Sequence, residues 1–535
     1  MRTLATLAII IAAAGMTAAA QSGAEWPTYH GTTSSWHHST LKQITPLNVK
    51  NLEVKWVYQA QSLEKFETTP LVVNGVMYLT EPPNTVVALD PVTGREYWVY
   101  EHRLPEGVLP CCGKVNRGLA MSGGLLYMGT LDMKLLAIDA ATGRKVWEKE
   151  LGGFEKGYSL THAPLVVNDI VIAGTAGGEF GIQGFIAAFN AQTGEEVWRF
   201  KTIPEPGEPG HETWENQAWR TGGGSIWLTG SYDPALNLTY WGVGNPSPDW
   251  NPHVRPGDNL YTDSVVALDA STGKLKWHFQ FTPHDEWDWD AVQTAVLVDG
   301  AWKGAPRKLM LWANRNGFYY VLDRATGEFL HGVPFVKQDW AERLDAKGRP
   351  VKAPGRGSTP EGSLTFPGVQ GGTNWFAPSY SPVTKLFYLS AWDDYSSRYY
   401  SWDQPHEPGR WFGGGGVTSD VSPTRRDRLN RRKPDSGYGA IRALKWDTGE
   451  KVWEHKMTDV SESGILTTAT NVLFSGNREG HFFALDATTG GLLWRVYLGG
   501  QGASSPITYA VDGKQYVTVA NGHSMFTFAL RDGAK

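Results

Sequence analysis

Two adjacent cysteines, Cys111 and Cys112, are the only thiol-bearing residues in the 535-residue sequence. In an oxidising compartment they can pair with each other or with another molecule, and otherwise they are buried free thiols. A bond between neighbours closes almost no loop, so it adds little stability through the unfolded chain. We therefore interpret the pair as a flat, polarizable sulfur surface that faces a ligand, with two free thiols as the alternative.

A second group of reactive side chains lies in residues 282–290, which spell Thr-Pro-His-Asp-Glu-Trp-Asp-Trp-Asp. Alternating residues of a strand face the same side, so the Asp288 and Asp290 carboxylates are predicted to lie on one side of the segment. A solvated acidic turn is the alternative, although two Trp residues lie within the segment.

The elements that must position these residues are indicated by a phrase that occurs seven times: an apolar strand, a Thr-Gly turn and a closing aromatic residue. Asp and Thr in such a turn can bond to local backbone groups, and Gly permits a positive φ. An eighth element, residues 45–56, lacks the turn but ends in Trp56. The seven copies are residues 88–98, 137–147, 188–198, 267–277, 321–331, 443–453 and 484–494.

The spacing of the closing aromatics, roughly 40 to 55 residues with two longer gaps, suits one four-stranded propeller blade per repeat. We therefore predict an all-β fold, an eight-bladed β-propeller. Each closing Trp should pack flat between neighbouring blades, because one four-stranded sheet cannot bury both of its faces. A β-sandwich with a repeated hairpin is the alternative. No linker separates the repeats, so residues 21–535 are predicted to form one propeller domain.

Composition and the first residues bear on location and partners. The formal net charge is −5, and no basic patch interleaved with aromatics invites nucleic acid. The one basic cluster, residues 425–433, is interpreted as a solvated loop, with an anionic docking site as the alternative. Residues 1–20 contain an early Arg, an apolar stretch and a small-residue end, which indicate a secretory signal peptide. No later stretch is long enough to span a membrane, so we expect a soluble protein of a bacterial periplasm.

The repeats, the adjacent cysteines and residues 282–290 together resemble the pyrroloquinoline quinone (PQQ) dependent alcohol dehydrogenases, the quinoprotein methanol and ethanol dehydrogenase family. The resemblance covers nearly the whole mature chain. It implies that Cys111 and Cys112 form a disulfide on one face of PQQ and that Trp227 stacks on the other face. Packing of Trp227 within a blade is the alternative.

The resemblance also implies a set of cofactor-binding residues. PQQ carries several carboxylates, so its site must supply cations and hydrogen-bond donors. Relatives commonly have Ser where this chain has Ala176, so one hydrogen bond to the carboxylates is not carried over. The implied cofactor-binding residues are Glu67, Cys111, Cys112, Arg117, Thr161, Ala176, Gly177, Gly178, Trp227, Arg315, Asn374 and Trp375.

The metal ligands implied by the resemblance are Glu179, Asn245 and Asp288, with Asp290 as the fourth. Calcium enzymes of the family usually carry a small neutral residue at the position of Asp290, and the Asp-x-Asp pattern resembles the lanthanide-dependent branch. An added anion would balance a trivalent charge, whereas beside Ca²⁺ it would be partly uncompensated. We therefore expect a lanthanide ion, with Ca²⁺ as the alternative.

The implied reaction is hydride transfer from the carbon of a small alcohol to PQQ. Asp288 is the expected general base and Arg315 the residue that stabilises charge developing on the quinone. Without a Cys-x-x-Cys-His motif for haem, the chain is expected to pass electrons to a separate soluble cytochrome c.

The sequence thus predicts a periplasmic enzyme that oxidises methanol or other short primary alcohols to aldehydes. One alternative is a non-catalytic propeller that serves as a scaffold in envelope assembly, and another is a PQQ enzyme that acts on sugars or polyols. The oligomeric state stays open, with a homodimer as one option. The course of residues 393–439 is not predicted.

Overall fold

The computed structural model describes residues 23–419 and 437–533, and strands dominate this part of the chain. Seven four-stranded sheets and one five-stranded sheet are formed within it. None of its helices is long and apolar enough to cross a membrane. The predicted signal peptide, residues 1–20, and the basic cluster, residues 425–433, lie outside the described residues.

We number these eight sheets along the chain, and each consists mainly of consecutive antiparallel strands. Sheets 1 to 4 comprise, in turn, Leu71–Val73, Val76–Glu81, Thr85–Leu89 and Glu96–Glu101; Ala120–Ser122, Leu125–Gly129, Lys134–Asp139 and Lys145–Glu150; Leu165–Val167, Ile170–Gly174, Phe185–Asn190 and Glu196–Lys201; and Ser231–Asp233, Leu238–Gly242, Ser264–Asp269 and Leu275–Gln280.

Sheets 5 to 8 follow the same plan with two differences. An N-terminal strand is added to sheet 7 as its fifth strand, and another N-terminal strand supplies the fourth strand of sheet 8. They comprise, in turn, Val296–Trp302, Ala305–Ala313, Phe318–Asp323 and Phe329–Pro334; Ser379–Ser381, Leu386–Asp393, Tyr438–Lys445 and Lys451–Met457; His38–Ser39, Leu466–Thr468, Val472–Gly476, His481–Asp486 and Leu492–Tyr497; and Leu52–Gln59, Ile507–Val511, Lys514–Asn521 and Ser524–Leu530.

Smaller elements lie in the loops between these strands. Ala341–Leu344 pairs with Pro350–Lys352, and a three-stranded sheet contains Ser363–Thr365, Ser397–Ser401 and Gly415–Ser419. The last two of these strands belong to the segment whose course the sequence left open. The short 3₁₀ helices are Val49–Asn51, Phe154–Lys156, Gly178–Phe180, His211–Thr213, Gln217–Thr221 and Pro252–Val254.

The repeated phrase forms the third strand, the turn and the outermost strand of a sheet. In sheet 1 the Asp90 carboxylate accepts the Val92 and Thr93 amides, and Gly94 has a φ of +72°. Trp98 of the outermost strand donates its indole N–H to the Ala140 carbonyl of sheet 2 at 3.1 Å. Its ring covers Gly143, where an added Cβ would lie only 2.6 Å away. The Gly of most turns therefore has two roles: it adopts the positive φ of the turn, and it leaves room for the Trp ring of the preceding sheet.

This contact between neighbouring sheets recurs, which confirms the predicted role of the closing Trp. His331 replaces Trp in sheet 5 and meets the Thr448 carbonyl at 2.9 Å. Trp494 instead packs edge-on against Phe528 of sheet 8, with ring centroids 5.4 Å apart. The other indole N–H to carbonyl contacts are Trp56 to Pro91, Trp147 to Ala191, Trp198 to Ala270, Trp277 to Arg324 and Trp453 to Ala487.

The two ends of the described chain meet in sheet 8. Leu52–Gln59, which contains the eighth element's Trp56, pairs antiparallel with the last strand, Ser524–Leu530. The N-terminal strand is therefore the outermost strand of the last sheet, so its pairing joins the start of the fold to its end.

Residues 24–39 form a segment that we call the inner strap, because it bonds to the first strands of six sheets. The innermost strand of a sheet otherwise has an unpaired edge, and the strap satisfies part of it. Its main-chain hydrogen bonds join Ala24 to Ala510, Trp26 to Val72, Thr33 to Tyr232, Ser34 to Leu297, Trp36 to Tyr380 and His37 to Thr467.

The strand order brings one set of loops to one face of the molecule. In an antiparallel sheet, the start of the first strand and the end of the second strand lie at the same edge. Every site residue predicted above lies either before a first strand or between a second and a third strand. We call the face that these loops share the loop face, and it carries all the predicted chemistry.

Candidate active site

Asp290 lies at the centre of an acidic group on the loop face. Its Oδ1 accepts the Asn245 main-chain N–H at 3.0 Å, and its Oδ2 pairs with Nη1 of Arg315. The other terminal nitrogen of Arg315 lies 3.7 Å from Oδ2 of Asp288. Asp288 and Asp290 therefore share the buried guanidinium of Arg315. The sequence had placed the two carboxylates together on the expectation of a strand.

The prediction that residues 282–290 form a strand is wrong, because the segment is a loop between sheets 4 and 5. The Asp285 carboxylate accepts three successive amides, those of residues 287, 288 and 289, and Asp288 has a φ of +63°. Trp287 and Trp289 are 1% and 0% exposed and stack with centroids 4.6 Å apart. This burial also contradicts the alternative of a solvated acidic turn.

Glu179 reaches the same centre from sheet 3, in the 3₁₀ turn Gly178–Phe180. Gly177, before it, has a φ of +112°, and an added Cβ would lie 2.1 Å from the Gly157 carbonyl oxygen. The pKa of Glu179 is raised to about 7, mainly by burial and then by the charge of Asp290, against the opposing effect of Arg315. Glu179 thus belongs to the same electrostatic group as Asp290 and Arg315.

Asn245 adds an amide, and the sequence missed the carboxylate beside it, Asp249. Asn245 Nδ2 donates to Oδ1 of Asp249 at 2.9 Å, and Asp249 is fully buried. Burial and the charge of Glu179 raise the pKa of Asp249 well above its usual range. The position of Asp249, four residues after Asn245 in a Pro-flanked loop, is the only signal that the sequence offered.

Asp288 is in a similar electrostatic state. Burial raises its pKa well above the usual range, Arg315 lowers it, and the charges of Asp290, Asp249 and Glu179 raise it further. Several carboxyl groups thus share a dry region in which their negative charges repel one another. A bound cation would remove that penalty, which is what a metal site of this composition requires.

The predicted pairing of the cysteines is observed, since Cys111 and Cys112 form a disulfide with each other. Their sulfurs and a carboxylate oxygen of Glu179 lie within 4.8 Å of one another. A disulfide sulfur is not a thiolate and so is not a metal ligand of the usual kind. The sulfur surface is therefore an immediate neighbour of the acidic group.

Arg117 marks a second, cationic part of the loop face. Its guanidinium lies 5.1 Å from the ring centroid of Trp227 and 4.9 Å from that of Trp375, and Nη2 is 2.8 Å from Oε2 of Glu67. A guanidinium held over two indoles is oriented as well as stabilised. Trp227 is only half-buried, so part of its ring is open to a ligand.

Further charges extend this cationic part, and the sequence missed them. Lys65 Nζ lies 3.0 Å from Glu67 and 2.5 Å from Glu462, and Glu462 lies 3.0 Å from Arg478. Burial lowers the pKa of Lys65, but the charges of Glu462 and Glu67 outweigh that effect and raise it. Cations and carboxylates therefore alternate along this part of the loop face. No local motif marks these residues, which come from sheets at opposite ends of the chain.

The remaining predicted cofactor residues line the same loops. The main-chain carbonyl of Thr161 accepts the Arg117 amide at 3.0 Å, and Ala176 pairs with Ser159 through two main-chain bonds. Asn374 is used internally, since its Nδ2 donates to Gln370 and its Oδ1 accepts the Trp375 amide. The methyl group of Ala176 offers no hydrogen bond.

Buried polar atoms without partners test whether these residues fit a quinone and a cation. An unpaired buried donor or acceptor costs about 1–3 kcal/mol, so such atoms are expected where a ligand binds. In the acidic loops the atoms without partners include amide and carboxylate oxygens, which suit a hard cation, and one guanidinium N–H, which suits an oxygen acceptor. The atoms without partners beside the indoles include donors that suit carboxylates. Within residues 23–419 and 437–533 the atoms without partners include Asn245 Oδ1, Asp249 Oδ2, Thr161 Oγ1, Arg117 Nε and Arg315 Nε. The residues present therefore fit both groups.

Comparison with known proteins identifies the family. Residues 26–340 match the family model described as "Glucose/ethanol/alcohol dehydrogenase, beta-propeller domain". The chain is 39% identical over 511 residues to the quinoprotein alcohol dehydrogenase PedH of Pseudomonas putida, which covers 91% of this chain and 84% of the relative. The chain belongs to the PQQ-dependent alcohol dehydrogenases. It is accordingly an enzyme with a β-propeller fold.

Other members of this family show the same likeness. The 1-butanol dehydrogenase (cytochrome c) of Thauera butanivorans is 36% identical over 528 residues, which covers 94% of this chain and 75% of that relative. A solved europium-containing methanol dehydrogenase superposes with a TM-score of 0.89 at 31% identity, covering 95% of this chain and 99% of that one.

The C-terminal part also matches a second family model. Residues 437–535 match the model described as "Outer membrane protein assembly factor BamB". A solved BamB from Moraxella catarrhalis is only 15% identical, with a TM-score of 0.50, so this likeness concerns the fold alone. It lends no weight to the scaffold alternative.

Proposed function

We propose that this family member is a periplasmic quinoprotein that oxidises methanol or other short primary alcohols to aldehydes. Its eight sheets are eight blades of one propeller domain, residues 21–535. PQQ and a lanthanide ion bind together on the loop face. The proposal rests mainly on one observation. Three different loops of the loop face bring four residues together around Arg315, beside the disulfide: Glu179, Asn245, Asp288 and Asp290.

Glu179, Asn245, Asp288 and Asp290 hold the cation in this proposal. The acidic group supports a trivalent ion, because a higher charge balances more of the mutual repulsion among these buried carboxylates. The likeness to a europium-containing methanol dehydrogenase gives further support. Ca²⁺ remains the alternative that the experiment below separates.

PQQ lies between the Cys111–Cys112 disulfide and the Trp227 indole in this proposal. Arg117 supplies donors for its carboxylates, together with the Thr161 hydroxyl, and Glu67, Asn374 and Trp375 complete the cradle. Gly177 and Gly178 allow the backbone to approach closely, and Ala176 leaves one hydrogen bond unmade. The Arg117 guanidinium and the Lys65 ammonium lie over the Trp375 ring, where they offer charged donors to an anionic ligand.

When bound, the quinone supplies a two-electron acceptor and the cation supplies Lewis acidity. Asp288 accepts the proton of the alcohol hydroxyl at its carboxylate. In the free protein its raised pKa disfavours the charged base, so a neighbouring cation is needed to keep it ionised. Arg315, held by Asp290 and by the Val369 carbonyl at 2.6 Å, keeps its donors fixed beside that base.

Electrons leave to a separate soluble cytochrome c. The sequence has no Cys-x-x-Cys-His motif that would attach a haem to this chain. A relative whose name includes cytochrome c as acceptor supports this partner. The proposed periplasmic location is consistent with such a partner and with the signal peptide expected at residues 1–20.

Reconstitution tests this function. Purified apoprotein is loaded with PQQ plus La³⁺ or with PQQ plus Ca²⁺, and dye reduction is measured with methanol, ethanol, 1-butanol, a sugar and a polyol. We expect turnover of primary alcohols that requires PQQ and is higher with La³⁺. Turnover of the sugar or polyol alone, or no turnover with either ion, would contradict the proposal.

A further inference from the structure

The Asn245 amide is held in one orientation by two oxygen acceptors. Its Nδ2 donates to Oδ1 of Asp249 at 2.9 Å and to the Pro246 carbonyl at 3.2 Å. Rotating the amide by half a turn would place Oδ1 against the Pro246 carbonyl oxygen, and two acceptors do not bond to one another. The hydrogen-bond pattern therefore defines which side of the amide carries the oxygen.

The other end of the amide, Oδ1 of Asn245, is the atom that would bind a cation. Asn245 Oδ1 is buried without a hydrogen-bond partner in the described chain. A Cβ added to Gly178, the residue before Glu179, would lie 3.6 Å from it. Oδ1 thus faces the turn that carries Glu179, while Nδ2 faces away from that turn toward Asp249.

The main chain around Asp249 is bound by Arg255. The Arg255 guanidinium donates to the Pro248 carbonyl at 3.0 Å, to the Asp249 carbonyl at 3.2 Å and to the Asp285 carbonyl at 2.5 Å. Arg255 and Asp249 are both fully buried. The main chain that carries this acceptor is therefore held by the same guanidinium that binds the loop of Asp288.

We infer that Asp249 is a positioning residue for the cation site: it holds Nδ2 of Asn245 so that Oδ1 points at the ion. This inference rests on the proposed function, since it requires a cation at Asn245. Residues that orient metal ligands typically affect metal affinity by roughly 10- to 100-fold. Asp249 acts through Asn245, so its contribution should disappear when the Asn245 side chain is absent.

The test is a titration of metal-free protein with Tb³⁺, followed by the terbium luminescence that nearby Trp residues sensitise. Asp249→Leu removes the acceptor at similar size and should weaken Tb³⁺ binding roughly 10- to 100-fold. Asp249→Asn still offers an oxygen to Nδ2 and should bind more tightly than the Leu variant. Asn245→Ala with Asp249→Leu should bind no more weakly than Asn245→Ala alone.

Asp263→Asn is the matched control. Asp263 is another fully buried carboxylate, and its side-chain oxygens have no hydrogen-bond partner in the described chain, Asn245 included. Its substitution should leave Tb³⁺ affinity close to that of the unchanged protein. If Asp263→Asn weakens binding as much as Asp249→Leu does, general acidity explains the effect and the positioning role is overturned.

Other outcomes are equally decisive. The positioning role is wrong if Asp249→Leu binds Tb³⁺ as tightly as the unchanged protein does, or if Asp249→Asn binds it as weakly as Asp249→Leu. It is also wrong if the losses of Tb³⁺ affinity caused by Asn245→Ala and Asp249→Leu multiply when both substitutions are combined. If the unchanged protein binds no Tb³⁺, the proposed metal site itself fails. Near-ultraviolet circular dichroism verifies folding, and Asp249→Ala replaces the Leu variant in the same cycle if the latter does not fold.

Discussion

At the scale of single residues, the loop face separates into two electrostatic parts. Burial and mutual repulsion favour a neutral, protonated form of Glu179 and Asp288, whereas Arg117 and Lys65 remain cations beside carboxylates. An acidic part demands a cation and a cationic part demands an anion. A ligand with carboxylates that also contacts a metal ion satisfies both demands together.

Asp288→Asn tests the proposed base. The amide keeps the size of the side chain but cannot accept the alcohol proton, so we expect kcat to fall by at least about 100-fold. PQQ absorbance and lanthanide content should change little in protein loaded with an excess of both, because the amide oxygen can still bind the ion. Full activity of the Asn variant would show that another group accepts the proton.

Thr161→Val tests the proposed PQQ-binding residues, because it should affect protein stability and PQQ affinity in opposite directions. The Thr161 hydroxyl is buried without a partner in the described chain, so replacing it should maintain or raise the melting temperature of the free protein. PQQ affinity should fall by about 1.5–3 kcal/mol, the contribution of a hydrogen bond to a charged group. Calorimetry and PQQ titration measure the two effects.

Thr130→Val is the control for this substitution. The Thr130 hydroxyl is buried but bonded to the Lys134 carbonyl at 3.1 Å. Its loss should lower the melting temperature and leave PQQ affinity unchanged. A stability loss in Thr161→Val without loss of affinity would remove Thr161 from the cradle.

At the scale of elements, the strand, turn and closing Trp form the repeated building unit. The Gly in each turn must adopt a positive φ, and in most repeats it also lies under the Trp of the preceding sheet. The sequence predicted the first requirement from turn chemistry. The second arises only when two repeats pack together.

Gly273→Ala tests this double role. Gly273 has a φ of +67°, and an added Cβ would lie 2.4 Å from the Trp198 ring. The left-handed backbone costs roughly 1–2 kcal/mol and the overlap about 1–3 kcal/mol more. Gly513→Ala is the control, since Gly513 has a φ of +76° with nothing within 4 Å of the added atom. Chemical denaturation should show a much larger loss for Gly273→Ala, and equal losses would contradict the Trp contact.

At the scale of elements it is also clear why the conformation of residues 282–290 was predicted wrongly. The segment of Asp288 and Asp290 contains alternating polar and aromatic residues, which indicated a strand. Three amides bound by Asp285 and the stacked Trp287 and Trp289 impose a loop instead. Such long-range packing and side-chain capping override a short periodic pattern.

At the scale of the whole molecule, closure of the sheet array brings distant residues together. Lys65 and Glu462 are almost 400 positions apart in sequence, yet they form an ion pair because sheets 7, 8 and 1 are neighbours. The repeats predicted the blade-like sheets and the closing role of Trp56. Lys65, Glu462, Arg478 and Asp249 were missed because nothing in the nearby sequence marks them.

Removal of residues 1–59 tests the closure. The shortened chain loses the inner strap and the outermost strand of sheet 8, so it should lack a cooperative thermal transition when monitored by near-ultraviolet circular dichroism. A peptide of residues 23–59 should restore that transition, and the same peptide with Trp56→Ser should do so less well, because Trp56 contacts Pro91 and Gly94. An unchanged transition in the shortened chain would contradict this role of the N-terminal segment.

The central claim is that one hard cation lies among Glu179, Asn245, Asp288 and Asp290, next to PQQ held by the disulfide and Trp227. Anomalous X-ray scattering at a lanthanide absorption edge, from crystals loaded with PQQ and that lanthanide, tests it most directly. The account predicts one strong peak within bonding distance of oxygens from all four residues, with the quinone beside it. A peak elsewhere, or a quinone bound away from this peak, would contradict the account.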